Sequence, residues 1–298
     1  MDIRHELKEK RPNLSESSIT TYSSILRNLY KRIFPEHELN MDNFNNTHKI
    51  LEHLKEIPPS KRKTILSALL VLTGNKEYKD SMLSDISEYE KLIETQEKSD
   101  TQKEHWVTYQ QVIEIFKNLE HEAKLLYKKK NLTMTDLQQI QNYIIMSLLS
   151  GKYIPPRRSL DYVCMKIRNF KKNEDNWFDT THLYYNRYKT QKYYNQQIVD
   201  LPPALKKILD KYVGKNTHCD YLLFDNNSQP LTSVKLNQRI NKIFGDKISV
   251  NALRHAYLQH LYGNTIELNK KIDKTMTAMG SSKSMLKNYV KVDSSDSD

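Results

Sequence analysis

The sequence predicts a mainly α-helical chain of two modules, the second carrying one small antiparallel β-meander. Three observations lead there. Apolar residues recur at helical spacing through most of the chain. A polar run with no apolar period, Glu97-Lys98-Ser99-Asp100-Thr101-Gln102-Lys103, interrupts them. Between Asp175 and Pro202 the pattern changes to short runs rich in Tyr and Thr. A chain of 298 residues has room for two domains of the usual ~100 to 200 residues each. The expected organisation is a helical module at 1–96, a linker at 97–105, a larger module at 106–292 and a short acidic tail at 293–298. That tail, Asp293-Ser294-Ser295-Asp296-Ser297-Asp298, is too hydrophilic to pack and is expected to be disordered.

In the first module, Leu14 to Phe34 forms one amphipathic helix, with Ser15 as N-cap and Ile19, Tyr22, Leu26, Leu29, Tyr30 and Ile33 on a single stripe. Pro35 ends it. A short helix at Thr47 to Leu54 presents Ile50, Leu51 and Leu54, and Ile57-Pro58-Pro59 breaks the chain. The next helix starts at Ser60 with Lys61, Arg62 and Lys63 in its first turn. Cations there oppose the helix macrodipole, and a nearby phosphate backbone would account for them; a solvated charged turn is the plainer alternative. A fourth helix spans roughly Lys79 to Gln96.

In the second module, Thr108 caps a helix with Val112, Ile115, Phe116 and Leu119 inside, and Thr135 to Leu149 is strongly helical and largely buried. Pro155-Pro156 then fixes the backbone on which Arg157 and Arg158 are displayed. Asp161, three residues after Arg158, has the spacing to orient that guanidinium. Trp177-Phe178, Thr181 to Tyr188 and Gln197 to Leu201 read as the meander, with Lys189-Thr190-Gln191-Lys192 as the turn between its last two strands. Helices follow at Leu205 to Val213 and Ser233 to Phe244. A last helical stretch opens at Asn251-Ala252-Leu253-Arg254-His255, with Leu253, Tyr257, Leu258 and Leu261 as its packed stripe, and the folded chain closes at Asn288-Tyr289-Val290.

Composition narrows the chemistry. A formal charge of +11 with 38 % hydrophobic residues favours a polyanionic partner, most simply nucleic acid, with a merely soluble basic protein as the alternative. No Gly-x-x-x-x-Gly-Lys loop is present to cradle a triphosphate, and no His, Cys or carboxylate pattern has metal spacing, so no cofactor and no metal are expected. Cys164 and Cys219 stand far apart, as two small packed residues would. No apolar run reaches the ~18 residues of a membrane span and Met1-Asp2-Ile3-Arg4 does not open a signal peptide, so a soluble, intracellular protein is expected.

Taken in order, these segments resemble the tyrosine recombinase (phage integrase) family, over nearly the whole chain. Arg158-Ser159-Leu160-Asp161 is similar to the family's first arginine box, and Lys189 matches its β-hairpin lysine. The His-x-x-Arg box falls on Asn251-Ala252-Leu253-Arg254, with the arginine kept and the histidine replaced. Met279-Gly280-Ser281-Ser282 resembles a later Leu-Gly-His-Ser box with Ser281 at the histidine, and the nucleophile falls on Tyr289. The Pro-Pro-Arg-Arg segment and the Asn- and Lys-rich composition look most like divergent integrase-like proteins of large DNA viruses and mobile elements.

The resemblance implies a helical core-binding domain followed by an α+β catalytic domain, acting in the host nucleus or cytoplasm and self-associating as dimer or tetramer on double-stranded DNA. It implies cutting and rejoining DNA through a 3′-phosphotyrosine at Tyr289. Arg158 and Arg254 would clamp the phosphate, Lys189 would be the general acid, and Asn251, Ser281, Asp161 and His255 would support them. Arg157 is the alternative first clamp and Lys192 the alternative acid; both, with Lys61, Arg62 and Lys63, are the expected DNA contacts. Two other readings stay open: a DNA-binding protein whose chemistry has decayed, and a type IB topoisomerase-like enzyme.

Overall fold

The computed structural model describes residues 2–291, which fall into two compact units with their boundary between Ser99 and Asp100. The expectation of a disordered tail at 293–298 lies outside the described residues. No helix among the described residues is long and apolar enough to cross a membrane.

The first unit is all helical: α1 (Ile3–Lys10), α2 (Glu16–Ile33), α3 (Thr47–Leu54), α4 (Pro59–Thr73) and α5 (Lys76–Glu94). Ser15 caps α2 by accepting from the Ser18 N–H, which satisfies one of the donors a helix start leaves open. Pro59 occupies the first turn of α4, where its missing N–H is harmless, and Gly74 closes that helix with φ +70°. The core gathers Leu26, Tyr30, Phe44, Ile50, Leu69 and Tyr78, and the Tyr78 hydroxyl donates to the Phe44 carbonyl at 2.7 Å. Helix α1 was not anticipated: its two buried side chains, Ile3 and Leu7, are too few to make a period against six polar neighbours.

The second unit opens with α6 (Asp100–Glu104), a single helical turn inside the polar stretch that carried no helical signal. Helices α7 (Tyr109–Leu126) and α8 (Met134–Leu149) follow, each entered through a capping box, Thr108 with Gln111 and Thr133 with Asp136. Helix α8 is buried along nearly its whole length and forms the spine of this unit. After α9 (Ser159–Val163) come β1 (Met165–Lys166), β2 (Asn176–Phe178), β3 (His182–Tyr185), α10 (Gln191–Tyr194) and β4 (Gln197–Asp200). Helices α11 (Pro203–Val213), α12 (Ser233–Phe244), α13 (Val250–Tyr262), α14 (Asn264–Ala278) and the short α15 (Leu286–Tyr289) complete it.

The protein is therefore mainly helical with one small sheet, in strand order β1-β2-β3-β4. The sheet is mixed rather than a pure meander. β2, β3 and β4 pair antiparallel as expected, with Trp177 opposite Tyr184 and His182 opposite Asp200, but β1 adds in parallel to β2. A two-residue strand leaves no periodicity to read. The β3–β4 connection is also longer than a tight turn, because α10 is built into it. Trp177 is stacked between Tyr184 at 3.8 Å and Phe170 at 4.7 Å, which fixes the sheet's outer face.

Candidate active site

Helix α8 delivers the chain to a loop whose geometry is set by Gly151. Its φ of +77° is one that residues with a Cβ avoid, and a Cβ there would stand 2.2 Å from the Tyr257 ring on α13. The glycine thus lets the loop carrying Pro155, Pro156, Arg157 and Arg158 lie against α13, three residues beyond Arg254. Tyr109 from α7 stacks on His260 at 4.1 Å and also meets the Tyr257 ring at 6.4 Å, holding the same face of α13. Three separated parts of the sequence are brought together in this way.

The result is a cavity of about 270 Å³ lined by Arg157, Arg158, Asp161 and Arg254, with Tyr188, Thr190 and Tyr194 from the β3–β4 connection and Val199 from β4. The arginines play different parts. Arg157 donates through Nε to Asp161 Oδ2 at 2.9 Å and lies over the Tyr185 ring at 4.0 Å, so its charge is already compensated. Arg158 and Arg254 have no carboxylate partner among the described residues. The Arg254 Nη1 donates to Asn251 Oδ1 at 3.3 Å, which places the amide as a guide for the guanidinium.

The expected pairing of Asp161 with Arg158 is therefore corrected: Asp161 holds Arg157. Both spacings are available on a helical turn, and the side chain that reaches inward wins because Asp161 itself is buried. Burial pushes the Asp161 carboxyl above its ordinary range, opposed by the charges of Arg157, Arg158 and Arg254, and its Oδ1 has no hydrogen-bond partner. The carboxylate thus acts as the negative pole of a strongly positive pocket.

The other candidate residues stand apart from this pocket. Lys189 lies between two cavity-lining residues, Tyr188 and Thr190, and its side chain is exposed, with no salt bridge among the described residues; Lys192 is likewise exposed on α10. His255 faces solvent. Ser281 follows Gly280, whose φ of +68° ends α14; the Ser281 and Gly280 N–H groups donate to Met276 and Thr277, so this box serves as a helix C-cap. Tyr289 sits on α15, 59 % exposed and outside the cavity wall. The stripe expected to pack α13 is also corrected: Val250, Leu253 and Ala256 are buried, while Leu258 and Leu261 are about half exposed.

In the first unit, Arg62 has a partner within the protein. It makes a fork of hydrogen bonds to the buried Asp85, with Nη2 at 2.5 Å, and it donates a further bond to the Lys55 carbonyl. Lys63 lies 3.5 Å over the Tyr89 ring, and Lys61 alone of the three is exposed without a partner. Internal partners explain why cations collect at this helix start. His5, Glu6 and Glu9 bring ligand atoms within 4.8 Å of one another on α1, an exposed group with no buried support.

Sequence reasoning missed Tyr188 and Tyr194, which wall the cavity, and Tyr185, which carries Arg157. Among 19 tyrosines nothing in the sequence marks these three.

No protein-family model matches the sequence, and no curated protein matches it by sequence. Among solved structures the chain is similar to XerA recombinase, at 13 % identity and a TM-score of 0.36, over 88 % of this chain and 84 % of that one. It is also similar to a lambda integrase(75-356) dimer bound to a COC′ core site, at 12 % identity and a TM-score of 0.43, over 88 % of each chain. Both are tyrosine recombinases, the family that the order of residues in this sequence resembles.

Proposed function

We propose that the protein is a DNA strand transferase of the site-specific recombinase type, cutting and rejoining duplex DNA without a cofactor. One observation carries this reading: Arg158 and Arg254, from distant parts of the chain, line one cavity, and among the described residues neither makes a salt bridge, because the one carboxylate there, Asp161, is bonded to Arg157. Two permanently charged guanidinium groups so placed favour an anion with several oxygens, and a phosphodiester has that form. They would stabilise the pentacoordinate transition state, where such donors are worth a few kcal/mol each.

In the proposed step the Tyr289 oxygen attacks phosphorus, the bond from phosphorus to the 5′-oxygen breaks, and Lys189 gives its proton to the departing oxygen. The phosphotyrosine keeps the bond energy for rejoining. Asn251 can donate a hydrogen bond to the phosphate but cannot take the phenolic proton, so that proton leaves to water or to His255. Reversal by a second 5′-hydroxyl restores the phosphodiester. The unit ending at Ser99 serves as the core-binding domain and the unit from Asp100 as the catalytic domain, with several protomers acting on two sites.

A second reading, a DNA-binding protein that has lost the chemistry, draws on Asn251 and Ser281 standing where the family has histidines. A duplex nicked beside the cleavage position separates the two. The strand-transferase reading expects a protein–DNA adduct that survives denaturant; salt-dependent binding without any adduct, across a mixed pool of sequences, would leave only the binding reading.

A further inference from the structure

Away from the arginine cavity, Arg239 on α12 is a further guanidinium without a salt bridge among the described residues. Its Nη1 and Nη2 donate to the side-chain oxygens of Gln141 and Gln138 on α8, which are neutral, and it forms no ion pair among the described residues. Burial lowers its pKa from the ordinary arginine value, the sign of a charge held out of water. The neighbouring carboxylate, Asp225, is already committed to Lys235 at 2.5 Å and to the Asn227 and Gln229 N–H groups.

Two cavities, of about 420 and 460 Å³, open on either side of this side chain and share Asn226, Arg239 and Lys242 as a common wall. Lys242 is exposed, with no salt bridge among the described residues, one helical turn beyond Arg239. On the α8 side, Gln139 and Asn142 complete the wall, and Asn142 Oδ1 is buried with no hydrogen-bond partner. A half-buried cation and an exposed lysine beside an orphaned amide at one opening leave a place for a ligand that bears negative charge. Neither cavity shares a lining residue with the arginine cavity. Along α8, Gln138 and Ser150 are roughly 18 Å apart at 1.5 Å per residue.

We propose that the groove between α8 and α12, walled by Arg239, Lys242, Gln139 and Asn142, is a second anion site that takes a phosphate group. The phosphate comes either from DNA backbone beyond the cut position or from a free nucleotide-like ligand. This holds whether or not Tyr289 cuts DNA.

The test uses the full chain carrying Arg158→Gln, which weakens the first cavity as a competitor, with Lys242→Gln or Arg239→Lys added. Arg239→Lys keeps the charge and removes the paired donors. Pyrophosphate is titrated calorimetrically, and a short duplex is titrated across a salt series. A free-ligand site predicts pyrophosphate binding that each added change weakens about tenfold, the loss of one charge-assisted contact. A DNA site predicts that each added change weakens duplex binding, and that Lys242→Gln also lowers the salt slope by about one. Two results overturn the site: both ligands indifferent to both changes, or an effect of Lys242→Gln on DNA alone while Arg239→Lys, with unchanged melting, has none. Should Arg239→Lys fail to fold, pyrophosphate binding unmoved by Lys242→Gln overturns it.

Discussion

The arginine side and the tyrosine side of the candidate active site are built in opposite ways. Arg157, Arg158 and Arg254 rise from elements packed on α8, with Asp161 buried beneath them and Gly151 pressed against Tyr257. Tyr289 stands at the end of a stretch in which α14 buries only Met276 and α15 buries nothing. Leu268, Met279, Met285 and Val290 are exposed along the same stretch. The arginine cavity is thus held by packed elements, whereas Tyr289 is carried on a segment with few buried side chains. Preorganisation matters most where charge develops, and a nucleophile can be delivered when DNA or another protomer supplies the missing surface.

The largest effect that would break this contrast is expected inside the clamp. Arg157→Ala should leave Asp161 buried without its hydrogen-bonded partner and destabilise the second unit by about 3 kcal/mol, read as a lowered denaturant midpoint. Arg158→Ala or Arg254→Ala should spare the midpoint and slow DNA cleavage by about 10²- to 10³-fold. If Arg157→Ala spared stability and abolished cleavage instead, the roles of the two adjacent arginines would be exchanged.

The contrast can be sharpened by amide exchange. Residues 264–290 should exchange well before 134–149, because local opening is easiest where few apolar side chains are buried; equal protection would mean the tyrosine segment is as firmly held as the clamp. The smallest effect concerns the start of α8. The Asp136 carboxyl is held down at about 2 by its hydrogen bond from Lys129, helped by the Thr133 donors. Its folded value lies below the ordinary ~3.9, so its contribution is complete above pH ~4 and is lost as pH falls toward 2. Asp136→Asn should flatten that part of the stability profile.

Much of the fold was legible because caps and stripes coincide: Ser15 and Thr108 cap the helices expected of them, and Thr47–Leu54 is a helix over the span read from its apolar residues. What escaped lacks period or depends on tertiary partners. β1 and α10 are too short to carry a pattern. Leu258 and Leu261 continue a helical stripe in sequence, yet the described residues leave each about half exposed. That Arg62 pairs with Asp85, 23 residues later, carries no signal in the sequence. Arg158 and Arg254 could be chosen from their order in the chain, but that Asp161 grips Arg157 depends on which side chain turns inward.

The central claim is that Tyr289, though outside the cavity wall, is the residue that joins DNA at the arginine clamp. Trapping the adduct on a nicked duplex, digesting it and sequencing the nucleotide-bearing peptide by mass spectrometry tests this most directly. The account predicts the modification on Tyr289 and no adduct from Tyr289→Phe. An adduct on any other residue, or one that persists in Tyr289→Phe, contradicts it.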